Sequence, residues 1–403
     1  MTDAGDLADR VAAGDLRLHE LEDHTDADTA TAARRLVVER RTGADLDAVG
    51  DYGFDASEAE SNIENMVGAV QIPVGVAGPV SVSGSVADGE YHVPLATTEG
   101  GLVAGLNRGC SALDAAGGVT TRVVDSGMTR APVFRVAGVA EAQGLIEWVD
   151  DAEDRLREAA ESTTSHGELD RIDPYVVGDS VFLRFVYDTK DAMGMNMATI
   201  ATEAAAAVIE DETDAELVSL SGNLCSDKKP AAVNAVEGRG HTVTADAVIP
   251  AAVVADRFGA SPAAIADVNA RKNFHGSAKA GSLGFNAHVA NAVASAFLAT
   301  GQDEAQVVEG SNAITTASVR DGDLYVSVSI ASLPVGTVGG GTSLPAQSEA
   351  LSLLGVAGGG DPAGSNADEL AEVVAAAALA GELNLLGALA ADHLASAHAD
   401  LGR

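Results

Sequence analysis

Lysine is scarce in this chain of 403 residues: there are five lysines among 24 basic residues, against 60 acidic residues and a formal net charge of −36. This balance excludes non-specific nucleic-acid binding, which needs Lys and Arg to neutralise phosphates, and it argues against docking on an anionic membrane. A surface poor in lysine and rich in acid is typical of adaptation to molar salt, where a Debye length of ~3 Å screens self-repulsion. We therefore expect a halophilic protein. The alternative is an acidic cytosolic protein without salt adaptation.

Cysteine, a leader segment and long apolar runs are also scarce. Cys110 and Cys225 are too few for a disulfide framework, so we expect a reducing compartment. The acidic start MTDAGDLADR has neither the basic nor the apolar region of a signal peptide. The most apolar stretch, 373–391, is interrupted by Glu382 and Asn384, so we expect no membrane helix, which needs ~20 apolar residues. These features predict a soluble, cytoplasmic protein.

Two common cofactor signatures are missing as well. No GxGxxG follows a predicted strand, so a Rossmann domain is not supported, and no spacing of His, Cys, Asp or Glu matches a zinc site, so we expect no metal. Two other glycine-rich segments could hold a nucleotide, DAMGMNM (191–197) and VGTVGGGT (335–342). In the first, Gly194 permits close backbone approach, and the helix predicted after it offers N–H groups to a pyrophosphate. For the second, a mobile surface turn is the alternative.

The residue composition and hydrophobic spacing change along the chain. Residues 1–65 are charged and have helical spacing, whereas VGAVQIPVGVAGPVSVSG, from Val67, reads as strand. Residues 97–118 have helical spacing behind a Thr-Thr-Glu start that resembles an N-cap. Over 132–219 the pattern predicts one strand, one helix, a second strand and a second helix, in that order, which indicates a compact α+β unit inserted in a larger fold. The pattern also predicts a polar loop at 221–240 and two alanine-rich helices, one at 286–300 and one at 367–399.

The few lysines that remain are candidates for roles that arginine cannot fill, because only lysine is a compact, tunable point charge. Lys228 and Lys229 lie in SDKKPAAVNAVEGRG, where Asp227 can offset their repulsion, and Lys272 lies in NARKNFHGSA. A solvated turn is the alternative interpretation of the pair.

Two acidic residues and two histidines are further candidates for catalytic roles. Glu99 lies in TTEGG, and Asp303 lies in GQDEAQ after a predicted alanine-rich helix. Burial would raise the pKa of either carboxyl and make it a proton donor, whereas a nearby lysine would lower that pKa. A helix cap or a surface acid is the alternative for each. His393 and His398 are five residues apart on a predicted helix, so they do not share a face, and their spacing alone indicates no function.

Nine strings, in this order, resemble the 3-hydroxy-3-methylglutaryl-coenzyme A (HMG-CoA) reductase family over residues ~60–400. They are IENMVGAVQIPVGVAGP, TTEGGLVA, RVVDSGMTRAPV, DAMGMNMAT, SGNLCSDKKPAAVNAVEGRG, NAHVANAV, GQDEAQ, VGTVGGGTSLPAQ and LAGELNLLGALAADHLASAH. DAMGMNM resembles the NADPH-using class I branch, and the acidic, lysine-poor background resembles the haloarchaeal enzymes. The resemblance implies an α+β fold with four parts. These are a helical N-terminal domain (1–65), a large HMG-CoA-binding domain around a central helix (66–131 and 232–403), an inserted ferredoxin-like domain that binds NADPH (132–219) and a linking loop (220–231).

The resemblance also implies the reaction: two NADPH reduce HMG-CoA to mevalonate and CoA, the first committed step toward isoprenoids such as archaeal ether lipids. It implies a homodimer with shared active sites, paired into a tetramer. Lys228 would stabilise the oxyanion, and Glu99 would protonate the carbonyl oxygen. His398 would protonate the departing thiolate, and Asp303 would tune Lys228 and Glu99. The matching substrate positions are Arg130, Ser221, Asp227, Lys229, Lys272 and Asn291. The matching NADPH positions are Asp191, Met193, Gly194, Met195, Asn196, Gly339 and Gly340.

Some positions depart from the family pattern, and other functions remain to be weighed. Gly105 stands where many class I members have serine, and His166 stands near the expected place of an arginine that holds the 2′-phosphate, so the strength of the NADPH preference is open. A second possibility is a nicotinamide-dependent reductase of other acyl-CoAs. Arg130 and Lys272 argue against it, because they fit an acyl chain that ends in a carboxylate. A third is an acidic, non-catalytic scaffold, against which the intact motifs argue.

Overall fold

The computed structural model of the chain describes residues 3–391. Its helices are α1 (Ala4–Ala13), α2 (Ala27–Thr42), α3 (Asp47–Gly50), α4 (Leu102–Ala115), α5 (Val139–Asp151), α6 (Glu153–Glu161), α7 (Met195–Glu212), α8 (Ala232–Glu237), α9 (Ala251–Phe258), α10 (Pro262–Val268), α11 (Ser277–Ala280), α12 (Val289–Thr300), α13 (Val307–Gly310), α14 (Pro345–Leu354) and α15 (Ser365–Ala390). Its strands are β1 (Val74–Ser83), β2 (Asp88–Ala96), β3 (Val119–Arg130), β4 (Val133–Arg135), β5 (Glu168–Val177), β6 (Ser180–Asp188), β7 (Glu216–Ser219), β8 (Gly240–Ile249), β9 (Ala313–Arg320) and β10 (Asp323–Leu333). The expected α+β class is confirmed.

The helix α15 is the centre of the largest hydrophobic core. Its small side chains let α4, α12, β8 and β10 pack around it, and a Cβ at Gly109 would lie 2.0 Å from the carbonyl oxygen of Ala380. The prediction that no described segment is long and apolar enough to span a membrane is wrong, because α15 meets both criteria. Its most apolar window is 72% buried inside the fold, as expected of a core helix.

Two glutamates of α15 are fully buried, and both bind backbone N–H groups. Glu372 accepts hydrogen bonds from the N–H groups of residues 85–87, in the turn between β1 and β2. Burial alone would raise the pKa of Glu372, but a hydrogen bond from the hydroxyl of Ser85, together with these backbone bonds, outweighs it and the pKa is lowered. Glu382 accepts from the N–H groups of residues 287–288 and from the hydroxyl of Thr315. A buried carboxylate needs such partners, so both acids fix neighbouring elements on the central helix.

The strands of the described chain form one ten-stranded arrangement with the order β7-β4-β6-β3-β8-β10-β9, in which β1 and β2 join at β3 and β5 joins at β6. Most of β3 pairs with β8, and its last three residues, 128–130, pair with β6. The strand β3 therefore connects the two halves of the sheet and ends at Arg130, next to the functional segments.

Residues 133–219 fold as β4-α5-α6-β5-β6-α7-β7, with the strand order β7-β4-β6-β5, which is the ferredoxin-like arrangement. The sequence pattern indicated two strands here and missed β5 and β7. Pro174 and the charged residues of β5 hide it, and the structure tolerates the proline because β5 pairs only with β6, at the edge of the sheet. The single helix predicted before β5 is broken at Ala152 into α5 and α6.

Candidate active site

Lys228 and Asp303, both predicted to be catalytic, form an ion pair. Lys228 lies in the loop between β7 and α8, and its Nζ is 2.8 Å from Oδ2 of Asp303. Asp303 follows α12, and its Oδ1 accepts the N–H of Ala305, so the carboxylate is oriented by the backbone. The hydrogen bond from Lys228 to Asp303 raises the pKa of the lysine above its ordinary value. The amine thus stays charged while 44% of its side chain remains exposed to a ligand.

The loop that carries Lys228 has an unusual backbone. Asn223, Ser226 and Lys228 have φ values of +64°, +53° and +57°. Each costs roughly 1–2 kcal/mol for a residue with a Cβ, so the loop needs support. Nδ2 of Asn234, which is fully buried, donates to the carbonyl oxygen of Ser226 at 3.1 Å, and the N–H of Lys228 donates to Glu309. These contacts hold the lysine in one backbone conformation.

A buried arginine lies directly behind the loop. One guanidinium nitrogen of Arg239, Nη2, is 2.9 Å from Oδ1 of Asp227 and 2.9 Å from Sδ of Met195. The other, Nη1, donates to Gln306 at 2.6 Å and to Glu309 at 3.4 Å. Gln306 also donates to Oδ1 of Asp227 at 2.9 Å. Asp227, predicted to bind substrate, therefore has one oxygen engaged inside the protein.

Sequence reasoning missed Arg239 and Glu309. Arg239 lies within the quoted string SDKKPAAVNAVEGRG, but an arginine flanked by glycines gives no periodic signal. Both side chains have no exposed surface, and they lie 70 residues apart in the chain. Only the fold brings them together.

Glu99 belongs to a second cluster. It lies in the loop between β2 and α4, where its Oε1 is 3.4 Å from Nδ2 of Asn291. That nitrogen is also 3.4 Å from Nδ1 of His288, whose Nε2 is 2.8 Å from the carbonyl oxygen of Gly381. Since the carbonyl can only accept, Nε2 carries a proton and Nδ1 is left to accept in the neutral ring. His288 was missed, although it lies in the quoted string NAHVANAV.

The surroundings of Glu99 differ from the expectation. The carboxylate is exposed, and α4 begins only at Leu102, so the Thr-Thr-Glu start is a loop and not an N-cap. Beside it is an open cleft of about 150 Å³, whose lining includes Glu99, Asn291 and apolar residues such as Ile72 and Leu298. The cleft therefore offers both apolar and polar side chains to a ligand.

The two clusters lie at opposite ends of one helix. Asn291 is in the first turn of α12, and Asp303 follows its last residue, Thr300, by three positions. At 1.5 Å per residue, the helix axis between Asn291 and Thr300 is roughly 14 Å long. The predicted catalytic residues of one chain therefore form two half-sites, one with Glu99 and one with Lys228.

The two glycine-rich segments lie side by side. Ala192 pairs with Val338 in a parallel bridge, and a Cβ at Gly336 would lie 2.3 Å from the backbone nitrogen of Met193. Gly194 has a φ of +85° and precedes α7, and a Cβ there would lie 2.2 Å from the side chain of Thr189. Only glycine fits this position. The predicted nucleotide residues Met193, Gly194, Met195 and Asn196 thus form the entry to α7.

The exposed glycines 339 and 340 and the buried Asp191 complete this region. Gly339 and Gly340 have open space beside them, since a Cβ at either would meet nothing within 4 Å. Asp191 is 5% exposed, and its two carboxylate oxygens accept four backbone N–H groups of residues 360–367, at the start of α15. The Asp191 carboxylate therefore anchors the segment 191–194 to the start of α15. The backbone of that segment is then free to face a ligand.

The other predicted substrate residues are spread more widely. Nε and Nη2 of Arg130 are 3.0 and 2.6 Å from the hydroxyl of Thr199, on α7, and Oγ of Ser221 is 3.7 Å from Sγ of Cys225. Nζ of Lys229 donates to the carbonyl oxygen of Asp227 at 3.0 Å. Ser221 and Lys229 lie in the linking loop 220–231, and Arg130 follows Thr129, whose hydroxyl donates to the carbonyl oxygen of Cys225 in that loop.

Lys272 lies apart from them. It is exposed on a π-helical segment, Asn269–Gly276, and its Nζ is 3.5 Å from Oδ1 of Asn273. Among the contacts between residues 3 and 391 it has none with Lys228 or Glu99. His393 and His398 lie outside the described residues.

Comparisons with known proteins show the family of the chain. Residues 30–403 match the family described as hydroxymethylglutaryl-coenzyme A reductase. The chain is 71% identical over 403 residues to the 3-hydroxy-3-methylglutaryl-coenzyme A reductase of Haloferax volcanii, covering 100% of both chains. It is 69% identical over 402 residues to the enzyme of the same name from Halobacterium salinarum, covering 100% of this chain and 99% of the relative.

Solved structures show the same fold. The 3-hydroxy-3-methylglutaryl-coenzyme A reductase of Streptococcus pneumoniae superposes with a TM-score of 0.68 at 21% identity, over 88% of this chain and 96% of that chain. A class II enzyme from the same organism, bound to NADPH in open conformations, gives 0.68 at 21% identity over 88% and 86%. Since the family match spans most of the chain and the relatives align along all of it, the chain belongs to the hydroxymethylglutaryl-coenzyme A reductase family.

Proposed function

We propose that the chain reduces HMG-CoA to mevalonate and CoA at the expense of two NADPH, in the pathway that leads to isoprenoids. The observation that carries this proposal is the ion pair of Lys228 and Asp303, 2.8 Å apart, in the loop between the nucleotide segments and the core of the large domain. The names of the curated relatives support the same activity.

Lys228 acts on the carbonyl oxygen. Reduction of a thioester, and then of the resulting aldehyde, places negative charge on that oxygen, and a fixed ammonium stabilises it. Asp303 keeps the amine protonated, since it raises the pKa of Lys228. Both reductive steps therefore use the same cation.

Glu99 donates the proton that converts the second oxyanion to an alcohol. Its carboxylate is held by Asn291, which His288 orients in turn. His398 protonates the departing CoA thiolate, which only the first half of the reaction releases. This division of proton donors follows from what each half-reaction must neutralise.

A second copy of the chain completes each active site. Glu99 and Asn291 lie at one end of α12 and Lys228 and Asp303 at the other, so a twofold dimer can bring the Glu99 cluster of one protomer to the Lys228 loop of its partner. We propose this homodimer, paired into a tetramer, as the working form.

NADPH supplies the hydride when bound, and the glycine-rich region fits it. The first turn of α7 presents N–H groups to a pyrophosphate behind Gly194, and Gly339 and Gly340 leave room for a close approach. Met193, Met195 and Asn196 flank this entry, and Asp191 holds it in place. The motif DAMGMNM supports assignment to class I.

The carboxylate of the HMG group is bound by cations. We assign it to Arg130 and Lys229, with Ser221 and Asp227 beside them, and to Lys272, which reaches the site in the dimer. Guanidinium and ammonium groups favour a carboxylate through charge-assisted hydrogen bonds. This preference distinguishes HMG-CoA from acyl-CoAs without a terminal carboxylate.

Three hydrophobic clusters support the proposed domains. One lies within residues 7–37, a second within 128–215 and the largest draws on 77–119 and 243–386. They support the proposed division into a helical N-terminal domain (1–65), a small NADPH domain (132–219) and a large domain (66–131 and 232–403), joined by the loop 220–231. The packing of α15 inside the largest cluster supports a soluble, cytoplasmic enzyme.

The decisive assay follows NADPH oxidation with HMG-CoA in molar KCl. We expect two NADPH oxidised per CoA released, and little turnover of acyl-CoAs that lack the carboxylate. One NADPH per CoA, or equal turnover of the uncharged acyl-CoAs, would overturn the proposal in favour of another acyl-CoA reductase.

A further inference from the structure

Arg239 touches three functional segments at once. It lies in the turn just before β8, and its side chain has no exposed surface. Its guanidinium contacts Asp227 of the lysine loop, Met195 of the nucleotide segment and Gln306 and Glu309 near α13. No other side chain among residues 3–391 hydrogen-bonds to all three segments.

A fully buried cation is costly unless its partners are fixed and charged. Arg239 has two carboxylate partners, Asp227 at 2.9 Å and Glu309 at 3.4 Å. Burial raises the pKa of Glu309, and the positive charge of Arg239 opposes that rise. The planar fork of an arginine donates in several fixed directions, whereas a lysine has a single nitrogen at the end of a flexible stem. The three segments are therefore held in one arrangement.

Glu309 transmits this arrangement to Lys228. The same oxygen, Oε1, accepts from Arg239 and from the backbone N–H of Lys228. Lys228 is in the left-handed region, with a φ of +57°, so its backbone would relax without a fixed acceptor. The direction in which the Lys228 side chain points thus depends on Glu309, and the position of Glu309 depends on Arg239.

We propose that Arg239 is a positioning residue that, through Glu309 and Asp227, aims the Lys228 amine at the reacting carbonyl. The inference rests on the proposed function, because it gives Lys228 a carbonyl to act on. The contact with Met195 extends the same arrangement to the nucleotide segment, so one buried guanidinium sets the lysine loop and the nucleotide segment relative to each other.

The test compares Arg239→Lys with Arg184→Lys. Arg184 is also fully buried, and it donates to the carbonyl oxygen of Gly238 at 2.6 Å, but it has no contact with Asp227, Glu309 or Lys228. We expect Arg239→Lys to lower kcat about 30-fold, within the range that misplacement of a reacting group by ~1 Å costs. The KM values for HMG-CoA and NADPH should change little. Arg184→Lys should leave the kcat of the folded enzyme close to the wild-type value, because Arg184 donates to Gly238 and Asp173 and to none of the groups that hold Lys228.

A second pair of variants separates positioning from folding. Glu309→Gln keeps an oxygen that can accept the N–H of Lys228, whereas Glu309→Leu removes it. We expect Glu309→Gln to retain most of kcat and Glu309→Leu to lose it as Arg239→Lys does, for HMG-CoA and for free mevaldehyde alike. This pair also decides the matter if Arg239→Lys fails to fold by circular dichroism.

The outcomes are distinguishable. Equal kcat losses in Arg239→Lys and Arg184→Lys would overturn the positioning role, as would equal kcat values for Glu309→Gln and Glu309→Leu. A wild-type enzyme that fails to oxidise two NADPH per CoA in molar KCl would instead overturn the proposed function.

Discussion

Asn291 and Asp303 lie at opposite ends of α12, and each holds a different catalytic candidate: Asn291 contacts Glu99 at 3.4 Å, and Asp303 contacts Lys228 at 2.8 Å. A rigid helix of 12 residues separates these half-sites within a chain. A twofold dimer can join the half-site of one protomer to the complementary half-site of the other. This separation along α12 is the observation that supports the proposed dimer.

Mixed dimers test this arrangement. Glu99→Gln and Lys228→Ala should each be nearly inactive alone. Mixed one to one and reassembled, they should recover about a quarter of wild-type activity, because half of the dimers then contain one site with both native residues. The measurement is NADPH oxidation after dissociation at low salt and reassembly in KCl.

The control for this experiment is a chain that carries both substitutions, mixed with either single variant. It should recover nothing, because such a dimer never unites a native Glu99 with a native Lys228. Sites formed within single chains would leave all mixtures inactive and contradict the shared-site proposal.

Lys228→Ala should lower turnover by several orders of magnitude, since a preorganised donor to a developing oxyanion is worth ~3–4 kcal/mol. The fold should persist, because the side chain is 44% exposed and its loop is held by backbone contacts. The measurement is kcat beside the circular dichroism melting curve. Near-wild-type turnover would remove Lys228 from the mechanism.

Asp303→Asn should shift the pH profile. The hydrogen bond to Asp303 raises the pKa of Lys228, so its loss lowers that pKa and deprotonates the amine at lower pH. The alkaline limb of kcat/KM should therefore move to lower pH, measured in molar KCl. Glu304→Gln is the matched control, because it removes a neighbouring exposed carboxylate that does not contact Lys228. A limb that stays in place for Asp303→Asn would show that another group titrates there.

The sequence predicts well where one strong motif carries the information. DAMGMNM predicts the start of α7, because a glycine directly before a helical pattern, here Gly194, is a signal that the local sequence contains. The pairing of Lys228 with Asp303 follows from family resemblance, since 75 residues separate them. What stays hidden are contacts made by single, non-periodic residues. Examples are the capping of α15 by Asp191, the buried bonds of Arg239 and the edge strand that contains Pro174.

The composition also misleads in one respect. Glu382 interrupts the apolar run 373–391 and leads to the expectation of no membrane-length apolar helix, but in the fold it accepts the backbone N–H groups of residues 287–288 inside the core of α15. Whether a charged residue ends an apolar helix depends on partners that only the folded chain provides.

His398 lies outside the described residues, and a partial reaction tests its proposed role. His398→Gln should impair reduction of HMG-CoA more than reduction of free mevaldehyde, because only the thioester must expel a thiolate. The measurement is kcat for both substrates. His393→Gln serves as the control and should affect both little. Equal losses on the two substrates in His398→Gln would show that the histidine has another role.

Salt should control both assembly and activity. At a net charge of −36, each protomer repels itself and its partner, and screening relieves this as the Debye length falls to ~3 Å near 1 M salt. Excluded salts also strengthen apolar burial, which helps the core around α15 and the interface that joins the half-sites. We therefore expect thermal stability, oligomer size and turnover to rise together from dilute buffer to molar KCl, measured by melting curves, sedimentation and NADPH oxidation on the same samples. Because the proposed active site joins the Glu99 cluster of one chain to the Lys228 loop of another, turnover should follow the dimer fraction and not the folded fraction at intermediate salt. A dimer that stays assembled and active in dilute buffer would contradict the halophilic interpretation. It would also weaken the inference that the five remaining lysines were kept for function, while the contacts of Lys228 would stand.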